Sequence, residues 1–162
     1  MYIKRKLDDN LTVFKNLRDN YKNDRGFKHR YLVTLGIGGN LGDVRRRFQK
    51  VYMTLKKEKR VSLLKTSLIL KNPPFGFKDQ DDFFNSIVLL KTSMQPGRFL
   101  DYLMRLEKRF ARKRSFANAP RTLDLDIIFF DDRVIDTPRL QVPHKYWQQR
   151  QSVLIPLMDI YK

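Results

Sequence analysis

Apolar and polar positions alternate along the chain with different periods in different stretches. Ile3, Leu7, Leu11, Phe14, Leu17 and Tyr21 stand three or four apart, separated by Lys4, Arg5, Lys6, Asp8, Asp9, Lys15, Arg18, Asp19 and Lys22. That spacing predicts an amphipathic helix, with Gly26 as its stop and 23–30 as a polar linker. Such a helix either docks on the body of the chain through its apolar stripe or meets a membrane surface or partner through its basic face.

From Tyr31 the pattern becomes compact and mixed. Tyr31–Ile37 is a β-branched and aromatic run that ends in glycine, the signature of a buried strand. Leu41, Val44, Phe48, Val51, Tyr52 and Leu55 then follow helical spacing. Val61–Leu70 and Phe84–Leu90 read as second and third strands. Between them, Asn72-Pro73-Pro74-Phe75-Gly76 must be loop, since consecutive prolines bar both helix and ladder. Pro96 opens a second helix at its first position, with Phe99, Leu103, Leu106 and Phe110 inward. Lys108–Pro120 becomes loop-like at its end. Leu123–Phe130 is a fourth strand, with Val134–Ile135 expected to pair with it. Pro138 to Pro143 is extended, and a short helix near Tyr146–Arg150 follows.

The order strand, helix, strand, strand, helix, strand predicts an α+β fold. It is the ferredoxin-like βαββαβ arrangement, an antiparallel or mixed sheet with packed helices. Two parts are expected: an N-terminal helical extension and linker over 1–30, and one domain over 31–162. Residues 1–24 are expected to pack on that domain and replace core cover missing at the C-terminus.

Charge changes the picture. Against 34 Lys+Arg stand only 17 Asp+Glu, a net charge of +17. A polyanion is therefore implied: nucleic acid, an anionic membrane surface, or a small molecule rich in phosphate. The absence of Cys excludes a disulfide scaffold and a thiolate zinc site. With His29 and His144 the only histidines, a metal would have to sit on carboxylate oxygens. No apolar run approaches the ~18 residues that cross a bilayer, and no signal-peptide pattern follows the basic start. A cytoplasmic protein acting away from the membrane is the expectation.

Asp124 and Asp126 are the sharpest candidate for chemistry. Positions two apart on a strand share a face, so both carboxylates point one way while Leu123, Leu125 and Ile127 point into apolar packing. Ile128, Phe129 and Phe130 follow, which reads as an interior strand. Paired carboxylates there need cations. These are either a pair of Mg²⁺ ions, as in phosphoryl chemistry, or neighbouring arginines at a solvated strand end. Arg105, Lys108, Arg109, Arg112, Lys113, Arg114 and Arg121 precede the pair, and Arg139, Lys145 and Arg150 follow it. Guanidinium forks grip phosphate oxygens, whereas a central acidic pair repels a nucleic-acid backbone. The combination describes a nucleoside triphosphate site better than a duplex groove. Gly36-Ile37-Gly38-Gly39-Asn40-Leu41-Gly42 reads as a tight strand-to-helix turn with Asn40 as N-cap. It lacks the acidic ribose partner of a dinucleotide fold, since Lys71 stands at the end of the next strand. His144 is either structural or a donor to phosphate.

Four ordered pieces together resemble the hydroxymethyl-dihydropterin pyrophosphokinase family of the folate pathway over residues 31–160. They are Gly38-Gly39-Asn40-Leu41-Gly42; Asn72-Pro73-Pro74-Phe75-Gly76 with Gln80, Phe83 and Asn85; Glu107 through Arg112, Arg114 and Pro120-Arg121-Thr122-Leu123-Asp124-Leu125-Asp126-Ile127; and Arg139-Leu140, Val142-Pro143-His144, Arg150 and Pro156-Leu157. The resemblance implies pyrophosphate transfer from ATP to a pterin alcohol by a monomer acting on small molecules, with no nucleic acid and no membrane. It implies that Asp124 and Asp126 hold two Mg²⁺, and that Arg112 and Arg121 grip phosphates during transfer. Glu107, Arg114, Ile127, Arg139, His144 and Arg150 would contact ATP. Asn72, Pro73, Phe75, Phe83 and Asn85 would line the pterin pocket. Ser152 departs from the family, which usually places a pterin-stacking phenylalanine there, so either another aromatic, such as Trp147 or Phe116, supplies the second face or pterin affinity is lower. Ser115–Ala119 lacks the tryptophan common in that segment. The alternative is a basic ferredoxin-like RNA-binding module, but its strands would carry exposed aromatics where these carry aliphatics and an acidic pair.

Overall fold

A computed structural model describes residues 2–16, 29–113 and 115–162. In chain order the elements are β1 (Tyr2–Lys6), β2 (Thr12–Asn16), β3 (Tyr31–Gly39), α1 (Val44–Lys57), β4 (Val61–Thr66), β5 (Ile69–Asn72), β6 (Phe83–Thr92), α2 (Pro96–Arg109), β7 (Asp124–Phe130), β8 (Ile135–Asp136), β9 (Gln141–Val142), a 3-10 turn at Trp147–Gln149, and α3 (Gln151–Ile160). The architecture is α+β. Seven strands form one antiparallel sheet in the order β1-β2-β5-β6-β3-β7, with β4 also on β6.

Two helices cover one face of the sheet. Phe48, Val51, Tyr52 and Leu55 of α1 and Phe99, Leu103 and Leu106 of α2 are buried against Val33, Leu35, Ile37, Val88, Leu90, Leu125, Ile127 and Phe130. The 3.6-residue period of both helices is therefore the period of their contact with the sheet. Asp43, not Asn40, caps α1, its carboxylate accepting from the Arg46 amide at 3.1 Å. Pro96 occupies the start of α2, where its missing N–H removes nothing from the helix. On the opposite face, Val153 and Ile160 of α3 close over Ile87 and Ile128.

The predicted N-terminal helix is instead a hairpin. Residues 2–6 and 12–16 pair antiparallel from Tyr2 opposite Asn16 to Lys6 opposite Thr12. The turn explains the difference. Asp8 Oδ1 accepts from the amides of Asn10 (2.8 Å) and Leu11 (2.7 Å), and the Leu7 amide donates to Leu11 O at 2.9 Å. A short acidic side chain that binds the amides just after it competes with helical bonding. β2 then extends the sheet, Val13 lying opposite Leu70 and Phe14 opposite Ile69. The helical spacing in the sequence was fortuitous, and Ile3 and Leu7 are left exposed. Leu17 and Tyr21 lie outside the described residues, as do Gly26 and 23–28.

Three further expectations change. β7 is an edge strand of the ladder, paired among the described strands with β3 alone. It is covered on its faces and met at its edge by the His144 amide, which donates to Ile128 O at 2.9 Å. A bulge sets Thr34 opposite Phe129 and Leu35 opposite Ile127, which turns both Ile128 and Phe129 towards α3. Ile135 pairs with Val142, in a separate two-stranded ribbon, and not with β7. Core cover at the C-terminus is present in α3, which runs through Pro156 and packs on the sheet.

Candidate active site

The pleat of β7 buries Leu125 and Ile127 under α2 and turns Asp124 and Asp126 to the other face. Beneath them Glu107, at the end of α2 and buried, accepts from the Leu125 amide at 2.8 Å. Arg112 Nη1 donates both to Glu107 Oε1 (2.5 Å) and to Asp124 Oδ1 (2.6 Å), and Arg121 Nε lies 3.3 Å from Asp124 Oδ2. For Asp124 the neutralising cations in this structure are therefore arginines. Burial disfavours the Arg112 charge, but Asp124 and Glu107 outweigh it and raise its affinity for the proton. Asp126 sits beside this cluster of acids. Burial, reinforced by the Asp124 and Glu107 charges and opposed by Arg112 and Arg121, pushes its carboxyl up to about 7.

Close backbone approach holds this corner to β3. A Cβ on Gly39 would meet Thr122 O at 2.5 Å, and one on Gly38 would meet Asn85 Oδ1 at 2.8 Å. Asn40 is buried and joins three segments. Its Nδ2 donates to Gln80 Oε1 (2.9 Å) and Asp81 O (3.0 Å), and its Oδ1 accepts from the Arg121 amide at 2.9 Å. The sequence pattern singles out this asparagine as a helix cap, whereas the fold uses it as a clamp between segments. The adjacent glycines were the available signal, because they let another backbone come close.

Two cavities meet at Asp126. One, of about 480 Å³, is lined by Asn72, Pro73, Phe75, Phe83 and Asn85 together with Arg121, Asp124 and Asp126. The other, of about 700 Å³, is lined by Glu107, Ile127, Arg139 and Tyr146, with Asp126 at its mouth. Asp126, His144 and Arg150 line both. The residues expected around a pterin thus share one cavity. The described residues expected around ATP share the other, while Arg114 lies outside the described residues. Arg112 and Arg121 also line a third hollow, of about 410 Å³, under the 112–121 loop.

The first cavity offers stacking and amide chemistry. Asn85 Nδ2 donates to Asn72 Oδ1 at 2.7 Å, which fixes the amide of Asn85 relative to the strand ends. The Arg121 guanidinium lies 4.7 Å above the Phe83 ring, and that of Arg150 lies 5.2 Å from the Phe75 ring. Neither aromatic expected to replace the one missing at Ser152 does so. Trp147 packs edge-on against Phe129 at 5.0 Å between ring centres, inside the α3 core, and exposed Phe116 packs against Phe77 at 5.2 Å.

The second cavity is cationic. Arg139, Lys145 and Arg150 line it, and the buried Arg150 Nε has no hydrogen-bond partner, an arrangement that favours an incoming anion with acceptor oxygens. Burial and the Arg150 charge lower the His144 pKa, with Asp124 opposing. Among the described residues no cluster of three or more metal-ligating side chains occurs. Two carboxylates fit Mg²⁺ nonetheless, since that ion takes its remaining ligands from water and substrate phosphates.

Comparison with known proteins follows the same lines. The family model described as 7,8-dihydro-6-hydroxymethylpterin-pyrophosphokinase matches residues 34–162. The chain is 41% identical over 136 residues to the 2-amino-4-hydroxy-6-hydroxymethyldihydropteridine pyrophosphokinase of Campylobacter jejuni, covering 84% of this chain and 85% of that one. It is 39% identical over 127 residues to the protein of the same name from Helicobacter pylori, covering 77% and 78%. Its identity to the Bacillus subtilis pyrophosphokinase is 35% over 129 residues, covering 80% and 77%.

Proposed function

The chain belongs to the 7,8-dihydro-6-hydroxymethylpterin-pyrophosphokinase family, and on that premise we propose that it transfers pyrophosphate from ATP to the hydroxymethyl group of 6-hydroxymethyl-7,8-dihydropterin, a step of folate biosynthesis, with the two adjoining cavities as its substrate sites. The observation that carries this reading is the meeting of those cavities at Asp126, His144 and Arg150. An alcohol held in one and a triphosphate held in the other would come together beside Asp124 and Asp126.

In this reading Asn85, oriented by Asn72, pairs with the donor and acceptor edge of the pterin while Phe83, Pro73 and Phe75 give it apolar walls. Glu107, Ile127, Arg139, His144, Arg150 and Arg114 contact ATP. Asp124 and Asp126 would hold two Mg²⁺, which supply charge neutralisation at the phosphates and a more acidic substrate alcohol. The alcohol oxygen gives up its proton to water and forms a bond to the β-phosphorus, the bond from that phosphorus to the oxygen bridging it to the α-phosphorus breaks, and AMP leaves with that oxygen. No covalent intermediate with the chain is needed. Positioning supplies most of the rate, as in other phosphoryl transfers. Arg112 and Arg121 rest on Asp124 in this structure and would grip phosphate oxygens during transfer.

The same proposal has a ferredoxin-like core, supported by the strand order β4-β6-β3-β7 with α1 and α2 on one face. It also has a boundary near residue 30 between an N-terminal element and the catalytic domain, and a monomer working in the cytoplasm. An RNA-binding module finds no support in the family match or in the relatives. The test is AMP release from Mg-ATP on addition of hydroxymethyl-dihydropterin. Wild type should turn over and Asp126→Ala should lose at least about a thousandfold, the scale of removing one preorganised charge from a phosphoryl-transfer site. A folded wild type with no turnover overturns the reading.

A further inference from the structure

We propose that the N-terminal hairpin is a working wall of the pterin cavity, with Leu11 supplying part of the apolar contact that Ser152 does not. This rests on the assignment of that cavity to the pterin. The family match begins at residue 34, so the hairpin lies outside the matched segment. Yet Leu11 lines the same cavity as Phe83, Asn85 and Ser152. It is 7% exposed and packs with Val13, Leu70 and Ile155, at the place where β2, β5 and α3 converge.

The wall is built and held. The Leu11 amide is bonded to Asp8 and its carbonyl accepts from Leu7, so its backbone is tied on both sides. β2 is laddered to β5 through Thr12 opposite Lys71, Val13 opposite Leu70 and Phe14 opposite Ile69. Lys15 Nζ reaches Asp159 of α3 at 2.8 Å. The same ladder ends one residue before Asn72, the side chain that orients Asn85. Leu11 is thus a positioning and specificity residue set by an element foreign to the matched domain. A flat heterocycle in this cavity would meet the aliphatic side chain of Leu11 in addition to the rings of Phe75 and Phe83.

The experiment measures KM for hydroxymethyl-dihydropterin at saturating Mg-ATP in wild type, Leu11→Ala and Val13→Ala. Val13 belongs to the same apolar cluster but does not line the cavity, so it reports on hairpin stability alone. Leu11→Ala should raise the pterin KM about fivefold, the loss of part of one apolar contact, with the ATP KM and kcat within about twofold of wild type. Val13→Ala should lower Tm without raising the pterin KM. Should Leu11→Ala not fold, Leu11→Val is measured in the same way, with a rise of about twofold expected for one lost methylene. An active wild type whose pterin KM is unchanged by Leu11 substitution, or is raised equally by Val13→Ala, overturns this inference alone. A wild type that releases no AMP overturns the pterin reading and this inference with it.

Discussion

Two buried carboxylates sit at opposite ends of the sheet and are held by the same kinds of partner. Glu107, under β7, accepts from the Leu125 amide and from Arg112. Asp159, at the end of α3, accepts from the Leu68 amide at 2.7 Å and from Lys15 at 2.8 Å. Their surroundings differ. The Arg112 side chain is 13% exposed and is shared with a second acid, Asp124, whereas the Lys15 side chain is 57% exposed and, among the described residues, meets only Asp159. A charge inside a closed network cannot be removed without stranding another, while a charge facing water can be rehydrated. The first is how a site for anions is kept in register. The second is a clip that fastens an added element to a finished domain.

Breaking the first should have the larger effect. Glu107→Ala leaves the Arg112 guanidinium with one carboxylate and the Leu125 amide with none. It should cost about 3 kcal/mol, the lower end for removing one partner of a buried pair. For a chain of this size that is a fall in Tm of about 6–12 °C. The melt is recorded without ATP or metal, so that a lost ligand contact does not enter. A change under about 2 °C would mean that the two corners are built alike after all.

Breaking the second should have a smaller effect with a characteristic pH dependence. Burial raises the Asp159 pKa, but the bonds from Lys15 and the Leu68 amide outweigh it and hold the carboxyl below its ordinary value. A depressed folded-state pKa means stabilisation that is present above the unfolded value and lost as pH falls through the folded one. Asp159→Asn should therefore cost about 1–2 kcal/mol at pH 7. The gap to wild type should narrow below about pH 4, the unfolded-state aspartate value, in denaturant titrations run across that range. A gap that stays constant with pH would show that the charge of Asp159 contributes nothing.

The contrast also marks what could be read from the sequence. Around Glu107 the signals were local and strong. Helical periodicity placed α2, alternation placed Asp124 and Asp126 on one face, and ordered motifs picked out described residues that line two adjoining cavities, with Arg112 beside them in a third. At the other corner each local signal misled. Leu7, Leu11 and Phe14 mimicked a helix, although Asp8-Asp9-Asn10 carries turn chemistry and the unpaired edge of β5 selects a strand. The expected elements end at the short helix near Tyr146–Arg150 and omit α3, whose packing on Ile87 and Ile128 outweighs the poor propensity of its internal Pro156. The clamp made by Asn40 and the core position of Trp147 depend on chain crossings that no periodicity encodes. Of the basic residues behind the +17 charge, Arg112, Arg121, Arg139 and Arg150 line the cavities, and Lys15 serves the clip.

The smallest effect belongs to the exposed half of the clip, and it separates holding from covering. Lys15→Met keeps the aliphatic stem but removes the ammonium, leaving Asp159 its bond to the Leu68 amide. An exposed partner of this kind contributes about 0.2–1 kcal/mol, screened by salt. The loss should therefore be visible by chemical denaturation at low ionic strength and fade towards about 1 M salt, where the screening length is about 3 Å. Because β2 stays laddered to β5 and Leu11 is untouched, the pterin KM should stay within about twofold of wild type. If Lys15→Met raises that KM as much as Leu11→Ala does, the clip and the wall are one cooperative unit, and the hairpin reaches the cavity through its anchorage as well as through Leu11.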